Sequence, residues 1–343
     1  MLKIYHQHTK VNVDPRMFLD LNGENYQVVS ATYQGCDFAV VPTQAPLKKL
    51  CLDIWHNHEN QIDRIATMLE DPNVWIISNA TSPGFAHPRY RYVDFLFNRT
   101  RAYYSQFPFG IDVQRWYHLS PFSFVDMPLE RSTKKQRIFV APNKTYPNTV
   151  DNRKYRSQLV NCLIDYDQLG YIGNADERSQ YYLCCHHEYP WAKSVTDLQD
   201  QGTVARTPLF RYSPPHNEYY RDTFVSIYGE TIEYGNTIAV TEKTYDPLIK
   251  GHFILPFSTT GFVSHLKGLG FKFPDFIDYS YDAVVNDDSR YQQYQQEVQR
   301  LLSIDLIGWK LLWDQNLDII YHNKRLIHER AYDRVNIKEF MQV

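Results

Sequence analysis

No run of about 18 apolar residues occurs in the 343-residue chain, which excludes a membrane-spanning helix. Two common phosphate-cradling loops are missing as well. Gly268-Leu269-Gly270 stops short of GxGxxG, and there is no GxxxxGK[ST]. Cysteine is sparse: Cys36, Cys51, Cys162, Cys184 and Cys185 are odd in number and irregularly spaced. That pattern excludes a disulfide framework and predicts reduced thiols in a cytoplasmic protein. The opening MLKIYHQHTKVNVDP lacks an apolar core, so no secretory leader is expected. Net charge is small, with 36 Lys+Arg against 39 Asp+Glu giving -3, so any anion site has to be local. Metal-ligand spacing is lacking too. Cys184-Cys185-His186-His187 sets its ligands side by side, and His6-x-His8 and His56-x-His58 have no third partner, so no metal is expected. What is plentiful is aromatic residues, 27 Tyr, 19 Phe and 6 Trp, a composition that suits polar clefts for carbohydrate or nucleotide.

At about 150 residues per domain the length predicts two domains. Apolar β-rich runs at 26–31, 37–42 and 74–78, with a helix between the last two on Ile62, Ile65, Ala66 and Leu69, predict a parallel α/β layer. A second helix is expected over 93–104. MPLERSTKKQ (127–136) is polar and basic and reads as the interdomain linker. The pattern then restarts. It predicts a strand at 137–141, a helix at 153–164 facing inward through Tyr155, Leu159, Cys162 and Leu163, and strands at 169–174 and 224–228. A helix from Glu242, a strand at 252–257 and a helix at 289–303 follow. The expected division is an acceptor-side domain over 1–134, a donor domain over 135–305, and a helical tail over 306–343 that packs back on the first domain.

The most informative stretch is VSIYGETIEYGNTIAVTEKTYDPLIKGHFILPF, residues 225–257. A helix opening at Thr241-Glu242-Lys243 offers unpaired N–H groups and a positive dipole end to a diphosphate. Lys243 would neutralise phosphate oxygens, a neighbouring carboxylate would accept from ribose hydroxyls, and Gly251 would end the helix.

Val240-Thr241-Glu242-Lys243, with Tyr228-Gly229-Glu230-Thr231 upstream and about two extra spacer residues, resembles the donor motif of glycosyltransferase family 10, the α1,3-fucosyltransferases. Phe139-Val140-Ala141-Pro142-Asn143, the helix bearing Arg153 and Arg156, and Gly170-Tyr171-Ile172-Gly173 are similar to that family's second domain. The likeness covers roughly residues 137 to 280. The first 130 residues carry no stretch that matches the family's acceptor-domain motif. The resemblance implies a GT-B fold, α/β with two Rossmann-like domains facing a central cleft, and an inverting, metal-independent transfer. It favours GDP-fucose as donor, a nucleotide-diphosphate sugar being the co-substrate and no other cofactor being needed. It implies a donor site of Glu242, Lys243, Glu230, Thr241, Asn143 and one of Arg153 or Arg156.

An inverting transfer needs a carboxylate to deprotonate the acceptor hydroxyl. Asp94 is the first candidate, followed by Glu59 and then Asp37, each near a predicted element end in the first domain. The expected acceptor is a glycan or other hydroxyl compound. Arg89-Tyr90-Arg91-Tyr92 and the run 99–104 allow a DNA-base acceptor on a phosphate-tracking surface. The reading as a solvated helix face with core tyrosines is preferred. A non-catalytic nucleotide-sugar-binding protein is the remaining alternative.

Overall fold

The computed structural model describes residues 2–6, 19–20, 26–29, 38–42, 49–53, 61–78, 80–92, 129–143, 154–172, 216–330, 335–336 and 339–340. The chain forms two compact units, both of mixed α/β architecture. Unit one comprises Met1–Phe107, Tyr234–Val240 and Glu329–Val343; unit two comprises Pro108–Glu233 and Thr241–His328.

Unit one is built on strands β1 (Leu2–His6), β2 (Leu19–Asp20), β3 (Tyr26–Val29), β4 (Phe38–Pro42) and β5 (Lys49–Asp53). Helix α1 (Gln61–Met68) and strands β6 (Val74–Ser78), β7 (Ala80–Thr81) and β8 (Tyr90–Tyr92) follow. Its main sheet runs β3-β1-β4-β5-β6-β8. Pairing is mixed: β4 is antiparallel to β1 and β5, whereas β5, β6 and β8 are mutually parallel neighbours. The expected strand–helix–strand crossover therefore starts from β5, not from β4. Five residues with a lysine and an aspartate at their ends, KLCLD, carry too little alternation to stand out. Helix α1 buries Ile62, Ile65, Met68 and Leu69 against Val74, Ile76 and Tyr90. Ala66 is exposed, because the buried stripe passes through Met68 instead.

Unit two holds a four-stranded, wholly parallel sheet of order β10-β9-β11-β13. The strands are β9 (Phe139–Ala141), β10 (Gly170–Ile172), β11 (Val225–Gly229) and β13 (Phe253–Phe257). The short β12 (Ile238–Ala239) pairs with β7 in unit one. The helices are α2 (Lys154–Leu163), α3 (His216–Asp222), α4 (Glu242–Ile249), α5 (Phe262–Gly268), α6 (Asp287–Leu302), α7 (Leu306–Gln315) and α8 (Leu317–Arg330). Strand alternation sorts the side chains. Phe139, Ala141, Val225, Ile227, Phe253, Leu255 and Phe257 join the main core with Leu159 of α2, Tyr294 of α6 and Trp309 of α7. Val140 meets Tyr219 and Tyr220 of α3 in a separate cluster. Near-continuous apolar strands such as Phe253–Phe257 are what a parallel sheet covered on both faces requires.

Three features differ from the expected division. First, residues 127–136 are not a solvated linker, and the unit boundary falls at 107/108. Lys135 is 1 % exposed, and Ser132 donates to Asp314 at 2.8 Å. Second, α7 and α8 contribute Trp309, Trp313 and Ile320 to the core of unit two. Only from Glu329 does the tail belong to unit one, where β14 (Val335–Asn336) pairs with β2 and Phe340 meets Trp75 edge-on at 5.4 Å. Third, Tyr234–Val240 leaves unit two after Glu233 and returns at Thr241. The extra spacer residues ahead of Val240 lie in this excursion.

Candidate functional site

In an open parallel sheet, ligands bind outside the carboxyl ends of the strands where the strand order reverses. Strand order β10-β9-β11-β13 is 2-1-3-4 in sequence sense, so the reversal lies between β9 and β11. Two residues after β9 stands Asn143, fully buried. The β9–β11 pairing is recorded only at Val225↔Phe139 and Ser226↔Val140. Asn143 spans the gap beyond it: its Oδ1 accepts from Gly229 N at 2.8 Å and its Nδ2 donates to Ile227 O at 3.1 Å. A side chain at position 229 would collide with Glu233 Oε1 at 2.7 Å, which accounts for glycine at the end of β11.

The next residue, Glu230, is fully buried and organises the surrounding loop. Its Oε1 accepts from Thr241 N at 3.1 Å and Thr244 Oγ1 at 2.8 Å. Its Oε2 accepts from Thr231 N at 2.9 Å and Thr241 Oγ1 at 2.6 Å. A carboxylate offers about four acceptor sites, and these four bonds fill them. Thr241 is the N-cap of α4, and Thr244 passes the network to Tyr228 Oη at 2.7 Å. Burial and then the Glu230 charge hold the Tyr228 hydroxyl well above its ordinary range. The helix ends in a Schellman motif. His252 N donates to Pro247 O and Gly251 N to Leu248 O, with Gly251 at φ +81°. Lys243 lies in the first turn, half-buried, with Nζ 3.3 Å from Thr231 Oγ1 and 3.5 Å from Thr241 Oγ1.

Arginines brace the far side of the same loop. Arg156 is 2 % exposed, donates to Glu230 O and pairs with Glu233 through Nε–Oε1 at 3.3 Å. Arg290 donates to Ser258 O at 3.0 Å and Glu233 O at 3.2 Å, and Ser258 Oγ to Ile232 O at 2.9 Å. The expected donor residues Asn143, Glu230, Thr241, Lys243 and Arg156 thus converge at the switch point, with Glu242 opening α4. The structure gives three of them other duties. The Glu230 carboxylate is saturated by protein donors and is not free to accept from a ribose. Arg156 is sealed beneath the loop instead of facing a phosphate. Asn143 ties two strands together. Among these residues Lys243 is the cation at the rim. Arg153, Asp94, Glu59 and Asp37 lie outside the described residues. The sequence reading missed Thr244, Glu233 and Arg290; only the Thr241/Thr244 spacing, with two hydroxyls one turn apart at a helix start, signalled any of them.

Beneath this network the sheet carries further polar groups. His252 meets Ser226 Oγ at 3.0 Å and Tyr220 O at 2.6 Å, and burial, then the Lys135 and Lys250 charges, hold its pKa well below the ordinary value. Lys250 pairs with Asp246 at 2.9 Å beneath the Tyr220 ring.

In unit one Arg89 and Tyr90 are used by the fold. The Arg89 guanidinium donates to Leu69 O at 2.6 Å, Asp71 O at 2.5 Å and Val74 O at 2.8 Å. Tyr90 is buried with its hydroxyl on Ala80 O. Neither is available to a nucleic acid, and the run 99–104 lies outside the described residues. Among the described residues no group of three or more metal-ligating side chains is present, and no helix is long and apolar enough to cross a membrane. No family model, curated protein or solved structure matches the chain.

Proposed function

We propose that unit two binds a nucleotide-diphosphate sugar at the β9/β11 switch point and that the chain transfers the sugar to a hydroxyl acceptor. The single observation that carries this reading is a coincidence. Asn143, Gly229-Glu230 and the Thr241-Glu242-Lys243 helix start, separated by up to 100 residues, meet where a 2-1-3-4 parallel sheet receives its ligand. In this reading the fold is a GT-B arrangement with the donor on unit two. Displacement at the anomeric carbon is inverting and metal-independent. A carboxylate of the first half, Asp94 or Glu59, takes the acceptor proton. Lys243 stabilises the charge that develops on the leaving diphosphate, assisted by the Thr231 and Thr241 hydroxyls beside it and by Arg153. Glu230, Arg156 and Asn143 hold the loop that presents these groups. The resemblance favours GDP-fucose as donor and a glycan as acceptor.

The test is a thermal-shift and calorimetric screen of the full chain with GDP, UDP, ADP, CMP and dTDP. One diphosphate is expected to raise Tm, and Lys243→Ala to weaken it about tenfold, the effect of one lost charge contact. If no nucleotide binds, the donor site is refuted. If Lys243→Ala binds as wild type does, Lys243 is removed from it.

A further inference from the structure

A second concavity of unit two lies between helices α2 and α6, and neither Lys243 nor Glu230 contributes to it. The two helices start side by side, since Lys154 and Tyr155 of α2 reach Asp288 of α6 at 2.7 and 2.8 Å. Their facing rows then diverge into a groove of about 450 Å³. Gln158 and Asn161 of α2, with Asp165 just beyond it, form one wall, and Tyr291, Gln295 and Gln299 form the other. These residues recur at three- and four-residue spacing, so each wall is one continuous helical stripe. Tyr166 adds an aromatic surface, and the half-buried Cys162 lies between the walls, hydrogen-bonded to Gln295.

The donor set is unusual for a helix–helix seam. Helices normally meet through apolar ridges, and α2 and α6 do so one layer deeper, through Leu159, Leu163, Tyr294 and Val298. Above that layer the seam offers four primary amides, each presenting both donors and an acceptor. Tyr291 supplies a second, independent observation. It is 5 % exposed, its ring is packed on Tyr155 and Phe257, and its Oη has no hydrogen-bond partner among the described residues. A buried hydroxyl without a partner is disfavoured, and a ligand hydroxyl would satisfy it. No cation lines the groove and Asp165 does, so the lining disfavours phosphates and carboxylates. A single carboxylate with a thiol is a poor cation site. What fits is a neutral ligand in which every hydroxyl both donates and accepts, with an apolar C–H face for Tyr166.

We propose that the α2/α6 groove is a carbohydrate-binding site that takes a neutral sugar ring of a glycan. Gln158, Asn161, Gln295 and Gln299 read its hydroxyls, Tyr291 donates to one of them, and Asp165 rejects anionic sugars. The site stands apart from the donor site proposed above and does not depend on it.

The experiment is saturation-transfer NMR on the full chain with methyl glycosides of glucose, galactose, mannose, fucose and N-acetylglucosamine, and with glucose 6-phosphate. Saturable binding of at least one neutral glycoside is expected. Tyr291→Phe removes only the hydroxyl and keeps the packing; it is expected to weaken that binding about fivefold, and Gln295→Ala to do the same. GDP binding is expected to be unchanged in both variants. Glucose 6-phosphate is expected to bind about tenfold more weakly than the best neutral glycoside. No saturable binding of any glycoside would overturn the proposal. So would glycoside binding that excess GDP displaces and Tyr291→Phe leaves intact, which would assign the sugar to the switch point. Equal or tighter binding of glucose 6-phosphate would overturn the selectivity assigned to Asp165.

Discussion

In each unit a helix end is completed by a charged side chain from elsewhere in the chain, and the sign follows the helix dipole. In unit one Arg89 closes the carboxyl end of α1 by donating to the carbonyls of Leu69, Asp71 and Val74. In unit two Glu230 closes the amino end of α4 by accepting four hydrogen bonds. The settings differ. Arg89 is half-buried at the margin of a mixed sheet, whereas Glu230 is fully buried at the reversal point of a parallel one. A peripheral clamp shapes one turn. A clamp at the switch point fixes the one place where an open parallel sheet presents backbone and helix ends to a ligand. Glu230 is therefore better understood as the part that makes the candidate site rigid than as a part that touches the ligand.

That contrast predicts unequal costs. Glu230→Ala strands Thr241 N and both threonine hydroxyls in a buried site and is expected to cost about 3–5 kcal/mol in urea denaturation. Glu230→Gln keeps the shape and is still expected to cost about 2 kcal/mol. Each carboxylate oxygen faces one backbone N–H, Thr241 N on Oε1 and Thr231 N on Oε2, so either amide orientation opposes donor to donor. A loss below about 1 kcal/mol for Glu230→Ala would equate it with ordinary surface carboxylates and break the comparison.

The next effect is pH-dependent and belongs to a third clamp. Lys135 closes the carboxyl end of α3, donating to Arg221 O at 3.1 Å and Thr223 O at 2.5 Å with its ammonium 4.3 Å from the Trp313 ring. Burial pushes its pKa from 10.5 down to about 7, against the raising influence of Asp222 and Glu130. The unfolded chain keeps this proton up to near 10.5, whereas the folded chain releases it above about 7. Stability therefore rises with pH across that window and is independent of this group below it. Lys135→Met removes the slope. The wild-type-minus-variant difference is expected to grow between pH 7 and 9 by at most about 1.4 kcal/mol per pH unit. A flat difference would mean that the carbonyls and the Trp313 face keep Lys135 charged.

Local signals made much of this legible in the sequence. The inward stripe of α2, Thr241 as N-cap, Gly251 as helix stop and the parallel strands 225–229 and 253–257 all rest on patterns within a few residues. The positions converging at the switch point were likewise legible as a set. Their duties were not, because those depend on partners far away in sequence. Glu230 and Arg156 look like ligand contacts until Thr241, Thr244 and Glu233 are seen to occupy them. Lys135 reads as a solvated linker charge until Trp313, some 180 residues on, covers it. The Tyr234–Val240 excursion was equally hidden, since its two-residue strand β12 is defined only by its partner β7.

The smallest predicted effect sharpens the original contrast. Arg89→Ala removes three charge-assisted donations, but their acceptors are carbonyls in a turn that is only partly buried, so water replaces much of what is lost. The expected cost is about 1–2 kcal/mol, and Arg89→Lys should recover less than half of it, because one ammonium cannot match the fork of a guanidinium that reaches three carbonyls at once. The readout that separates the two clamps is ligand binding. Arg89→Ala is expected to leave nucleotide affinity unchanged at temperatures where it is folded, whereas Glu230→Gln is expected to lower it even though the Glu230 side chain meets no ligand in this account. Equal losses of affinity in the two variants would mean that the switch point holds no special place, and the reading of Glu230 as the group that rigidifies a binding site would fail.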